Sequence, residues 1–294
     1  AKRRRVRLLL TVECSDLMSN SLQEFASRLR SLLLGRSSRR RRAASVARMQ
    51  QLECRALLAS VMDSGTTLQI ELQQGERVEV VSNGTNYELT STTSTFLNAG
   101  VTDAADFSAF GASTLSLNDL GQYTDIQIVD AAAGASVRFP DAGTGQFSHH
   151  FDIMLDDAAS PVSIVFNGVA HFGTHNLTAN TDGSILFLSG SDLSFSDGDI
   201  SLTAVNATDG LAARKGISIV EGKITTTGSG DILLNGTGSS AVGLNDMDGV
   251  YLDFNAQIAS TSTSANAGTI TLNGTSGVGK DFAAGLQIKN STIT

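Results

Sequence analysis

All four histidines of the chain stand close together, at His149, His150, His171 and His175. On an extended strand His171 and His175 keep the same parity and project from one side, with Asp152 and Asp156 close by in sequence. Imidazole nitrogens and carboxylate oxygens are the ligand types of a zinc or related transition-metal site. The plainer reading makes these residues solvated side chains at strand ends, and it is the one adopted: no metal and no cofactor is expected. A second group is Asp197, Asp199, Asp246, Asp248 and Asp253. Carboxylates gathered with a base on one external face are what cleavage of a polysaccharide requires. Most of these aspartates adjoin glycine, where a short carboxylate suits a turn, and they fall on no common outward track. No catalytic residue is assigned and an enzyme is not expected. The discriminating feature is carboxylates clustered with a Lys or Arg across neighbouring repeats, which favours an enzyme over a rod. Tandem Gly-Gly-x-Gly-x-Asp repeats, which bind calcium, are absent.

The elements that must position these residues repeat. Asp231-Ile232-Leu233-Leu234-Asn235-Gly236 returns as Thr269-Ile270-Thr271-Leu272-Asn273-Gly274, and earlier versions are Asp199–Leu202 and Ser163–Gly168. Aligning Ile164, Ile200, Ile232 and Ile270 gives steps of 36, 32 and 38 residues. A second strand follows each, at Gly183–Phe187, Gly216–Ile219, Gly249–Leu252 and Gly285–Ile288, and a third is centred on Leu193, Ile224, Ile258 and Ile293. Apolar residues two apart share one strand face. One such unit cannot bury its own apolar side chains, whereas stacked units form a continuous core. The expectation is an all-β, right-handed parallel β-helix, or β-solenoid, over 161–294, with Asn-Gly closing each first strand as a turn. An antiparallel sandwich is the rival, but it does not demand a fixed three-track period. Residues 61–160 carry less regular strands at Leu68–Leu72, Val78–Val80, Tyr87–Leu89, Thr124–Val129, Ala135–Phe139 and Phe151–Leu155. Asp103–Phe107 reads as one helical turn. This stretch is a β-rich cap or a set of atypical first coils.

Composition supports a strand array. There is no Trp, aromatic residues make up 5% of the chain, and Pro occurs only at Pro140 and Pro161. A core built on aromatic anchors is not expected. The net charge of −8 divides unevenly: residues 1–60 hold 14 of the 21 Lys and Arg. The acidic remainder repels phosphate, so no nucleic-acid partner is expected. Both cysteines, Cys14 and Cys54, lie in the basic segment. A disulfide scaffold is thereby excluded. No apolar run reaches the ~20 residues of a membrane span.

The basic segment, 1–60, reads as a leader, helical in part or disordered, with the boundary near Ala59-Ser60. Translation is expected to start at Met18, the alternative being a start upstream. Ser21-x-x-Glu24 is a capping box before a helical apolar pattern that Gly35 ends. Arg39–Arg42 precede a second helical stretch over 50–60. There Leu52, Glu53, Arg55, Leu57 and Leu58 match the sorting motif of the LEPR-XLL domain, which this segment resembles; Cys54 stands where that family usually has Pro or Asp. The domain opens very large exported proteins of planctomycete-type bacteria, with haemagglutinin- or autotransporter-like strand repeats. The resemblance covers about twenty residues and implies export to the cell surface.

These readings together predict the front of an extracellular structural or adhesion protein, with carbohydrate or protein ligands and no membrane span. A β-helix enzyme acting on extracellular polysaccharide is the alternative. The sequence stops at Ile293-Thr294, inside the third track, so more coils are expected, and end-to-end self-association where that edge is bare. The sequons at Asn83, Asn176, Asn206, Asn235, Asn273 and Asn290 read as turn chemistry, not glycosylation.

Overall fold

The computed structural model describes residues 58–294 apart from 85, 103–106, 109, 119, 131–133, 142–144, 157–161, 206–214, 241–245, 264 and 279–282. The chain divides into two compact units, Ala1–Arg55 and Ala56–Thr294, and every described residue belongs to the second. The helix expected from Ser21, most of the expected helical turn at 103–107, and Leu52, Glu53, Arg55 and Leu57 lie outside the described residues. The expected helix over 50–60 is wrong at its end. Leu58, Ala59 and Ser60 open a strand, β1 (Leu58–Ser64), and Ala59 is fully buried.

The first strands are mixed. β1 pairs antiparallel with β2 (Thr67–Leu72), and β3 (Arg77–Ser82) turns back into β4 (Tyr87–Ser91). β5 (Thr95–Gly100) runs parallel to β1 at the edge of the first sheet. β6 (Phe107–Ser108) and β7 (Thr114–Leu117) extend the second sheet antiparallel beyond β4.

From there the pairings change character. The chain continues through β8 (Asp125–Asp130), β9 (Ser136–Pro140), β10 (His150–Leu155), β11 (Ser163–Asn167), β12 (Val169–Gly173), β13 (Leu177–Thr181), β14 (Ser184–Phe187) and β15 (Asp192–Phe195). It goes on through β16 (Ile200–Val205), β17 (Ile217–Val220), β18 (Lys223–Thr226), β19 (Ile232–Thr237), β20 (Val250–Asp253), β21 (Gln257–Ser260), β22 (Ile270–Thr275), β23 (Leu286–Ile288) and β24 (Thr292–Ile293). From β10 onward successive strands visit three sheets in rotation, and each pairs parallel with the strand laid down one visit earlier. Before β12 the third sheet is a single parallel bridge, Gln146 to His171. Among the described residues there is no helix, and none long and apolar enough to cross a membrane.

Alternation explains which side is core. In β16, Ile200, Leu202 and Ala204 are buried while Ser201 and Thr203 face outward. Equivalent positions stack: Leu177, Ile200, Ile232 and Ile270 in the first sheet; Ile185, Ile217, Val250 and Leu286 in the second; Leu193, Ile224, Ile258 and Ile293 in the third. Each fully buried Ile or Leu of these columns contributes about 1.5–3 kcal/mol relative to exposure.

Three sequence expectations need correcting. Ile164 belongs to the second sheet, paired with Val137 and Ile185; the first-sheet partner of Ile200 is Leu177. Asn167-Gly168 does end β11, but the two later Asn-Gly pairs do not end their strands. Asn235-Gly236 and Asn273-Gly274 continue β19 and β22 to Thr237 and Thr275, with asparagine on asparagine. Gly236 is there because a Cβ on it would lie 2.0 Å from the Gly249 carbonyl oxygen, at the start of β20. Aromatic anchors do exist: Phe139, Phe166 and Phe187 stack face to face at 5.0 and 4.6 Å, as do Phe147, Phe172 and Phe195 at 4.7 and 5.0 Å. A low overall aromatic content concealed their concentration in one part of the chain.

Candidate functional site

The histidines do not converge. His149 is buried: its Nδ1 faces the Tyr87 hydroxyl at 2.8 Å and its Nε2 the Leu120 carbonyl at 3.2 Å. Since the carbonyl only accepts, Nε2 carries the hydrogen and Nδ1 accepts from tyrosine. Burial, the largest influence, holds this imidazole below its usual pKa. His150 lies 5.3 Å from His175, ring to ring, and accepts the Asn176 backbone N–H at 2.8 Å. His171 is bonded to the Ser194 hydroxyl. Asp152 accepts from Gln127, and Asp156 is placed by its backbone N–H to Asp130. Among the described residues no three His, Cys, Asp or Glu side chains are arranged to hold a metal ion.

The aspartates beside turns are bound across the stack, not locally. His150, Asn176, Asp199 and Asp231 stand just before, or at the start of, successive first-sheet strands. The side chain of each accepts the backbone N–H of its counterpart in the next pass: Asn176, Asp199, Asp231 and Thr269, at 2.8, 2.9, 2.9 and 2.6 Å. Asp197 does the same for Ser229 at 3.1 Å. Asp199 thus shares a track with Asp231, which is outside the five aspartates singled out, and its carboxylate is consumed in holding the next rung.

One face gathers charge. Among the described residues the basic side chains are Arg77, Arg138, Lys215, Lys223 and Lys289, and two of them meet at Tyr251. Tyr251 lies on the outward side of β20; the Lys215 Nζ sits 3.5 Å from its ring centroid and the Lys289 Nζ 5.3 Å. Such contacts are worth ~0.5–1 kcal/mol at exposed sites and more when desolvated. The Tyr251 hydroxyl donates to Asp253 Oδ2 at 2.5 Å, while Asp253 Oδ1 accepts the Phe254 N–H at 2.7 Å. Burial first, then the Asp253 hydrogen bond, pushes the tyrosine pKa up to about 12. That same bond holds the Asp253 carboxyl below its usual range.

Beneath them, Asp248 is fully buried: its Oδ1 accepts the Ala284 N–H at 2.9 Å and its Oδ2 lies 4.0 Å from the Lys215 Nζ. Burial raises the pKa of Asp248 and lowers that of Lys215, in both cases against the attraction of the partner.

Backbone strain concentrates at this face. Asp246, Phe254, Asn255 and Asn290 have φ of 61°, 53°, 64° and 44°, and the fifth non-glycine residue of positive φ among those described is Glu221. A bulky residue in this region is an outlier costing roughly 1–3 kcal/mol, and such strain clusters at functional sites. The Phe254 ring is 55% exposed, whereas most other aromatic side chains among the described residues are buried.

Sequence reading missed this cluster although the signal was present. Gly216, Gly249 and Gly285 precede equivalent strands, so the residues just before them, Lys215, Asp248 and Ala284, occupy equivalent places in consecutive passes. Comparison of the chain with protein-family models, with curated proteins and with solved structures gives no match.

Proposed function

We propose that the chain forms a right-handed parallel β-helix serving as the rod of an exported surface protein, and that the face around Tyr251 and Phe254 binds carbohydrate. The β-helix reading draws on the rotation of strands through three parallel stacks, and the hand is that of nearly all parallel crossover connections. The export reading draws on the basic segment and its LEPR-XLL-like residues Leu52, Glu53, Arg55, Leu57 and Leu58.

The observation that carries the binding reading is Phe254, an exposed aromatic ring held in a strained conformation beside polar groups fixed on stacked strands. A pyranose offers a face of C–H groups, which packs on such a ring, and a rim of hydroxyls. Asp253, Asn255 and Asn290 are acceptors and donors for that rim, and Lys289 favours an acidic sugar. The bends that follow β20 and β23 present these groups next to paired strands.

The test is affinity electrophoresis of the full chain through gels containing neutral or acidic polysaccharide. Phe254→Ala, a change at an exposed corner, should weaken binding at least tenfold, about 1.4 kcal/mol, with the circular dichroism of the β structure unchanged. Lys289→Ala should weaken binding to acidic polymers alone. Retention of full affinity by both variants rules the reading out.

The enzymatic alternative has one observation in its favour: Asp246, Asp248 and Asp253 do gather with Lys215 and Lys289 across neighbouring passes. A lysine whose pKa is lowered by burial is a candidate base for elimination from a uronate. Release of unsaturated ends from a polyuronate, lost in Lys215→Ala, would establish it.

A further inference from the structure

The Lys215–Asp248 pair is ill-made as an ion pair. Asp248 is entirely buried, and its Oδ2 has no hydrogen-bond partner. The Lys215 nitrogen is 4.0 Å from that oxygen, beyond hydrogen-bond reach. A buried acceptor left unmatched is costly and calls for an explanation. The backbone around the pair is firmly placed. Gly216 donates to the Asp248 carbonyl at 3.0 Å, the Ser184 hydroxyl donates to the Lys215 carbonyl at 2.8 Å, and Ala284 donates to Asp248 Oδ1.

We propose that Lys215 and Asp248 condense with each other into an intramolecular amide that ties one pass of the chain to the next. The neutral form of the Lys215 amine attacks Cγ of the protonated carboxyl. The Nζ–Cγ bond forms, the bond from Cγ to one oxygen breaks, and that oxygen leaves as water with the carboxyl proton and one proton from nitrogen. No oxidant or cofactor enters. The oxygen lost is Oδ2, the atom without a partner, so condensation removes the unmatched acceptor.

Two features favour the reactive forms and one opposes them. Burial moves both groups toward neutrality, the amine downward and the carboxyl upward. The Tyr251 ring over Nζ favours the ammonium, yet the net direction for Lys215 remains downward. Fixed proximity replaces a bimolecular encounter; effective molarities of well-oriented intramolecular reactions reach ~10⁵–10⁸ M. The fully buried Asp248 side chain also keeps water from the bond once it has formed.

Mass spectrometry of the intact, purified full chain decides the matter without any ligand, and so independently of carbohydrate binding. The expected mass is that of the sequence less one water. Trypsin should fail to cleave after Lys215 and should release the peptide Lys215–Lys223 joined to Ile224–Lys280 as one branched species. K215R, which keeps the charge but not the nucleophile, should show the full sequence mass.

An unmodified mass for the wild-type chain, before and after prolonged incubation, with normal cleavage after Lys215, overturns the proposal. So does a water loss that persists in K215R, as a succinimide at Asp248-Gly249 would give. Because the wild-type mass and digest are decisive alone, a K215R chain that fails to fold does not blur the result. An acylated Lys215 cannot act as a base, so a positive result also removes the lyase alternative.

Discussion

Residues 58–195 and residues 200–294 share a backbone plan but fill it differently. In the earlier region the interior is crowded with rings: Tyr87, Phe139, Phe147, Phe151, Phe166, Phe172, Phe187 and Phe195, several in stacked or edge-to-face contact. Its first strands pair antiparallel. In the later region the columns are Ile, Leu and Val, and glycines let consecutive strands approach where a Cβ would collide with backbone. Parallel register therefore does not depend on one side-chain type. It depends on like stacking on like, ring on ring in one part and branched aliphatic on branched aliphatic in the other. The Tyr251 cluster and most of the strained non-glycine backbone lie in the aliphatic region.

The sharpest way to break this division is to remove a ring from the middle of a stack. Phe172, between Phe147 and Phe195 and edge-on to Phe151, is fully buried. Phe172→Ala should cost about 3–5 kcal/mol, whereas Ile232→Val in the later region should cost about 0.5–1.5 kcal/mol. Urea denaturation measures both; equal losses would mean that the two interiors are not differently built.

A smaller effect tests close approach in the later region. A methyl at Gly249 meets the Thr275 nitrogen at 2.4 Å and the Gly236 carbonyl oxygen at 2.5 Å, both backbone atoms that cannot swing aside. Gly249→Ala should cost about 1–3 kcal/mol. Hydrogen exchange should quicken in β19–β23 and leave β10–β15 unchanged; uniform quickening would show the two regions to be one cooperative unit.

The smallest effect is acid sensitivity in the earlier region. His149 is held below its usual pKa by burial, so the unfolded chain takes up the proton first as pH falls. Its contribution is complete above the unfolded pKa of about 6.5 and declines below it, by at most ~1.4 kcal/mol per pH unit. Between about pH 7 and pH 5 the melting temperature should fall, and His149→Gln should flatten that slope. An unchanged slope in the variant assigns the acid loss elsewhere.

Much of the repeat was legible because alternation and recurrence are local properties. Ile200, Ile232 and Ile270, with their second- and third-sheet counterparts, were found by spacing alone. Ile164 was misplaced because Ser163–Gly168 is spelled like a first-sheet strand, while the true first-sheet segment, Leu177–Thr181, alternates only Leu, Ala and Thr. Nothing in a strand's own sequence states which sheet it joins. The Asn-Gly reading held at Asn167-Gly168 but failed at the two later pairs for a related reason: it took a partner from the same pass, whereas Asn235 finds Asn273 and Gly236 makes room for Gly249. The Tyr251 cluster joins residues a full repeat apart, and it is invisible until the passes are superposed one residue at a time.

The acceptor series through His150, Asn176, Asp199 and Asp231 makes the length of this chain a quantised quantity. Each of these side chains is matched only by the N–H one full circuit later. Adding or deleting a whole pass leaves every acceptor facing a donor. Adding a single residue inside a strand turns the inward side chains outward from that point on and strands the acceptor behind it. Growth and loss in such a chain are therefore tolerated in units of one whole pass.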